Sequence, residues 1–127
     1  MKKIKPSFLP FIIWFIISTV LLTLPGSAFP QENWLGKIWF DKWVHIGMFS
    51  IMAFLLCWAV HKKYVDAHKL RFAFLMMGFF CLCYGIAMEF VQKYFIPNRS
   101  FDVGDIIADG IGSIIGILYS LRRYKKN

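Results

Sequence analysis

The sequence predicts an all-α fold: a polytopic membrane protein built as a bundle of four transmembrane helices, with both termini in the cytoplasm. Three observations point there. Hydrophobic residues make up 58% of the 127 residues and aromatic residues 19%, well above the roughly 45–50% apolar content of soluble domains. The apolar residues gather in four continuous runs, near 7–24, 43–60, 71–91 and 103–121, each close to the roughly 20 residues that cross a bilayer core. The basic residues are sorted between those runs. Continuous rather than alternating hydrophobicity argues against a β-barrel, and the length leaves room for a single domain over 1–127.

The first run has Pro10 in its opening turn, where the missing N–H costs little, and stops at Pro25-Gly26. Its basic start and the small residues near its end resemble a secretory signal, but the apolar stretch is longer than the usual 7–15 residues. The following loop, PGSAFPQENWLGKIWFDK, carries Trp34 and Trp39, with Trp43 immediately after it, and suits a short interfacial helix at headgroup level. The second run is joined to the third by HKKYVDAHKL, a basic turn in contact with anionic lipid, in which His61 and His68 are assigned no role. Ile96-Pro97-Asn98 separates the third run from the fourth. Cys57, Cys81 and Cys83 lie within apolar runs as small packing residues.

The formal charge is +8. A basic excess of this size can mean nucleic acid, yet its placement says otherwise. With the N-terminus inside, eleven of the fifteen basic residues (Lys2, Lys3, Lys5, Lys62, Lys63, Lys69, Arg71, Arg122, Arg123, Lys125, Lys126) fall on the cytoplasmic side. That is the positive-inside pattern. All the acids except Asp66 fall at the outer level.

Those acids form a constellation. Asp41 and His45 are four apart and share a helical face if the second helix starts early. Glu89 and Gln92, with Gly85 one turn before, share a face at the end of the third helix. Asp102, Asp105 and Asp109 climb the fourth at spacings of three and four, and Ala108, Gly112 and Gly116 form a small-residue series suited to close helix packing, including self-association. An ionised Asp109, some 10 Å below the start of its helix, costs on the order of 2–3 kcal/mol unless it is paired. Asp41, Lys42, His45, Glu89, Gln92, Arg99, Asp102, Asp105 and Asp109 are therefore expected to line one outward polar cavity, in which Lys42 and Arg99 balance the carboxylates or hold an anionic head group. The plainer alternative is a salt-bridge network that fixes a loop.

The stretches DKWVHIGMFSIMAF, YGIAMEFVQKYFIPNRSFDVGDIIAD and GIGSIIG, between residues 41 and 116, resemble the VanZ-like family of bacterial membrane proteins. One position departs: Asp109 stands where the family tends to have Asn. The resemblance implies a cell-envelope protein of the bacterial cytoplasmic membrane, associated with low-level resistance to teicoplanin-type glycopeptides. Two activities are open. A binding protein would take an envelope lipid, a lipid-linked precursor or a lipoglycopeptide. An enzyme would use Asp41, Glu89, Asp102 and Asp105 to hold a divalent cation, with His45, Glu89 or Asp105 in catalysis, for hydrolysis or transfer at a lipid phosphate ester. A small scaffold subunit, homo-oligomeric through the fourth helix, is the third possibility. No nucleic-acid partner is expected.

Overall fold

The structure is a computed structural model that describes residues 3–25 and 40–126. Four helices follow in order: α1 (Leu9–Leu22), α2 (Phe40–Val60), α3 (Ala67–Phe95) and α4 (Val103–Arg123). The three later helices are long and apolar enough to cross a membrane. The first is shorter than its apolar run: 14 residues, about 21 Å at 1.5 Å per residue, against a hydrocarbon core of about 30 Å. The interfacial helix expected around Trp34 and Trp39 lies outside the described residues.

Local chemistry explains the ends. Pro10 occupies the first turn of α1, where no N–H is needed. α2 begins at Phe40, three residues before the expected start, which brings Asp41 into its first turn. α3 starts earlier than its apolar run because Asp66 caps it, accepting the Lys69 amide N–H at 3.2 Å. Beyond its end, Pro97 prevents continuation and Asn98 turns the chain with φ 59°, a left-handed conformation that Asn tolerates better than most residues. The Phe90 and Phe101 rings, 5.1 Å apart, fold this turn back onto α3. Asp102 then caps α4 through the Gly104 N–H at 2.8 Å.

α2 and α4 run parallel in the closest contact of the bundle, and α3 runs antiparallel to both. Lipid is as apolar as the side chains, so close packing rather than water exclusion holds such helices together. Two glycines make that packing possible. A Cβ on Gly112 would lie 2.4 Å from the Ile46 carbonyl oxygen, and one on Gly116 would lie 2.5 Å from that of Ser50. The small-residue face of α4 is thus filled within the chain by α2, so a second copy would have to meet α4 elsewhere. Phe49, Met52 and Phe74 are completely buried in the core. α1 is fastened by polar contacts: Trp14 Nε1–H donates to the Met48 carbonyl at 3.0 Å, and Thr19 and Tyr84 share a 2.6 Å hydrogen bond. Ile12, Phe79 and Ile114 remain exposed on the outer faces, as lipid-facing residues should be.

Candidate functional site

The parallel arrangement puts the N-termini of α2 and α4 at the same end of the bundle. Helix N-termini carry partial positive charge and favour carboxylates, which is one reason acids gather here. Lys42, in the first turn of α2, reaches across to α4. Its ammonium donates to Asp41 Oδ2 at 2.8 Å, Asp102 Oδ2 at 2.6 Å and Asp105 Oδ1 at 2.8 Å. An ammonium has three donors, and all three are used. Gly104 makes room for this, since a Cβ there would lie 2.8 Å from Lys42 Cε.

One turn deeper, His45 Nδ1 lies 2.7 Å from Asp109 Oδ1, and its Nε2 lies 3.8 Å from Asp105 Oδ2. Asp109 is 1% exposed and Glu89 1%, so this pair and its neighbour are sealed from the bilayer by the bundle itself. Asp109 has space because Gly85 of α3 has no side chain: a Cβ there would lie 2.5 Å from Asp109 Oδ2. Glu89 Oε2 accepts the backbone N–H of Asp102 at 3.0 Å, tying α3 to the start of α4.

Asp102 therefore works twice. One carboxylate oxygen caps α4 and the other accepts from Lys42, and that hydrogen bond holds its carboxyl below the usual carboxylate range.

Several expectations change in this geometry. Asp41 and His45 share a helix but part company: Asp41 is exposed and bound to Lys42, whereas His45 is buried and bound to Asp109. The expected group of Asp41, Glu89, Asp102 and Asp105 divides in two. Asp41, Asp102 and Asp105 form one trio of potential metal ligands, with Lys42 bonded to every member; His45, Glu89 and Asp109 form the other, each offering an atom within 4.8 Å of the others. Lys42 is no grip for an anion, because its donors are taken. Gln92 Nε2–H donates to the Leu22 carbonyl at 2.9 Å, satisfying an orphan acceptor at the end of α1. Arg99 reaches the same oxygen at 3.5 Å. Ala108 is buried in α4. Gly104, Thr19 and Tyr84 are contributors that sequence reasoning did not single out; the glycine two residues after a capping Asp is the one signal that could have raised Gly104.

A bundle of apolar helices carrying a buried ionic network at one end is a polytopic membrane protein with a polar site. The chain belongs to the VanZ/LLP1 family, whose pattern matches residues 7–123. It is 31% identical over 120 residues to an uncharacterized protein of Schizosaccharomyces pombe, an alignment covering 91% of this chain and 65% of that protein. The chain thus spans slightly less than two thirds of that yeast relative. No solved structure matches.

Proposed function

We propose that the protein receives the polar head of a membrane-anchored ligand at the carboxylate-rich end of the bundle. The observation that supports this is the saturation of Lys42. Its three donors are spent on three carboxylates, while five carboxylates in all (Asp41, Glu89, Asp102, Asp105, Asp109) gather around Lys42 and His45. The surplus is of acceptors, so the site suits a head group that brings ammonium, amide or hydroxyl donors. A lipid-linked envelope precursor or a lipoglycopeptide has that chemistry. Asp41 and Asp102 form the accessible rim, with side chains 59% and 42% exposed.

On this reading the acidic end faces outward from a bacterial cytoplasmic membrane and both termini face the cytoplasm. Selective low-level protection against teicoplanin-type glycopeptides then follows from ligand capture. The test is teicoplanin and vancomycin susceptibility in a sensitive Gram-positive host with equal membrane amounts of wild type, Asp41→Asn and Asp102→Asn. Protection against teicoplanin alone, lost in both variants, supports the reading; protection that survives both substitutions removes the rim from it, and no protection by wild type removes the glycopeptide.

A second reading rests on the His45, Glu89 and Asp109 trio, whose atoms lie within reach of one divalent cation. A mixed imidazole and carboxylate set suits manganese or zinc as well as harder ions; because the trio is buried, the cation would polarise a phosphate oxygen of a lipid ester only once this end of the bundle opens. Titration of the purified protein with Mn2+, followed by its spin resonance signal, should show binding that Glu89→Gln abolishes. An unbroken free-ion signal would end this reading.

A further inference from the structure

The opposite end of the bundle has its own chemistry, independent of the acidic site. Between the end of α2 and the start of α3, and at the end of α4, stand Lys62, Lys63, Lys69, Arg71, Arg122, Arg123, Lys125 and Lys126. The one acid among these segments, Asp66, is committed to capping α3. The two basic segments are drawn together by a specific contact, Lys126 Nζ donating to the Tyr64 carbonyl at 2.6 Å. Lys63 lies over the Tyr64 ring, 5.8 Å from its centroid.

Beside Tyr64 opens a cavity of about 470 Å³, lined by Tyr64, His68, Lys69, Phe72, Ala73, Met76 and Met77. Its polarity is graded. His68 and Lys69 are exposed at the rim, and Phe72 and Met76 follow on the same stripe of α3 at intervals of three and four. From His68 to Met77 the stripe descends about 13 Å at 1.5 Å per residue, passing from cation to aromatic to thioether. A phospholipid changes in the same order, from phosphate to acyl chain. Met walls are pliable enough to accept a chain of no fixed shape.

We infer that this cavity is a binding site for one anionic phospholipid, with its phosphate at Lys69 and His68 and the upper part of an acyl chain against Phe72, Met76 and Met77. The basic surroundings exclude a cationic occupant and give a zwitterionic lipid no advantage. The apolar floor distinguishes the site from a merely charged surface, because it demands a ligand with a tail.

The experiment is native mass spectrometry of the full chain released from bilayers of equal phosphatidylglycerol and phosphatidylcholine. One retained lipid, phosphatidylglycerol favoured by about five-fold or more, is expected, since each basic residue near an anionic head group contributes about that factor. Lys69→Glu should abolish the preference. Met76→Trp, which fills the floor and leaves every charge in place, should lose the retained lipid altogether. Lys125→Glu, which alters the net charge equally but lies off the cavity, should change neither. Equal retention of the two lipids overturns the inference. So does an identical response of Lys69→Glu and Lys125→Glu, which would mean diffuse attraction, or undiminished retention in Met76→Trp. Thermal unfolding of each variant in the same detergent separates a lost site from a lost fold.

Discussion

Gly85 and Asp109 are a matched pair: the buried carboxylate of α4 occupies the space that a side chain on α3 would fill, with only 2.5 Å between Asp109 Oδ2 and the position of a Cβ on Gly85. Neither position makes sense without the other. Gly85→Ala should therefore push Asp109 off His45. The expected cost is about 1–3 kcal/mol, the range for overpacking a filled interior, seen as a lower unfolding midpoint in detergent. Gly47, with nothing within 4 Å of its would-be Cβ, is the internal control: Gly47→Ala should be neutral or stabilising by up to about 1 kcal/mol, because alanine restricts the unfolded chain.

The His45 and Asp109 pair makes a second prediction, which concerns what the carboxylate is for. Asn can supply the same oxygen acceptor to His45 without the charge, so Asp109→Asn should fold normally. His45→Leu leaves Asp109 buried without its 2.7 Å partner and should destabilise by about 3–5 kcal/mol, the usual cost of breaking a buried pair from one side. The double variant His45→Leu with Asp109→Leu should recover part of that loss. Guanidinium or sodium dodecyl sulfate unfolding of wild type, His45→Leu, Asp109→Leu and the double variant gives the coupling directly.

Much of this arrangement was legible beforehand, and the rest was hidden for definite reasons. Helical spacing was enough to place Asp105, Asp109, Gly112 and Gly116 on one inward face of α4, because a periodicity of 3.6 acts within a single helix. What spacing does not reveal is which side chain of another helix is met. Asp41 is four residues from His45, yet His45 turns to Asp109, 64 positions away, because the parallel docking of α2 on α4 offers a buried partner where Asp41 is left in the rim. For the same reason spacing left two roles open for Lys42, balancing the carboxylates or holding an anion, and its three acceptors, drawn from both helix starts, put it in the first. The extra length of α3 was masked by His68 and Lys69 before its apolar run and by Gln92 and Lys93 after it, which end the run without ending the helix.

The close approach of α2 and α4 makes a third prediction. A Cβ on Gly112 would meet backbone atoms of Ile46, the nearest at 2.4 Å, and backbone cannot rotate away as a side chain can. Gly112→Ala should separate the helices next to His45, with a cost at or above the upper part of the usual overpacking range of about 1–3 kcal/mol. Gly110→Ala faces only Leu82 Cδ1 at 3.6 Å and should be tolerated. Cysteine pairs that cross-link Ile46 to Gly112 positions would be a poor probe here, since they replace the residue in question; unfolding midpoints and the accessibility of a reporter cysteine at Val44 serve better.

The pH response follows from Asp102. Its carboxyl is held low chiefly by the hydrogen bond from Lys42, reinforced by the Gly104 N–H. A depressed folded-state value means that the stabilisation is fully present above the unfolded value of about 3.9 and is lost as pH falls through the lower folded value. At neutral pH the junction should be firm. Under acid conditions below that window, protonation removes the charge-assisted contact with Lys42 and reduces the cap of α4 to an uncharged acceptor, so the first turn of α4 should fray before the rest of the bundle. Hydrogen exchange at Gly104 and Asp105 amides, measured as a function of pH and corrected for intrinsic rates, should show loss of protection confined to that turn. Asp102→Asn retains a capping oxygen but has no charge to titrate, so its protection should be weaker at neutral pH and flat across the acid window; a wild-type profile equally flat would mean that the Lys42 contact contributes nothing to holding the two helix starts together.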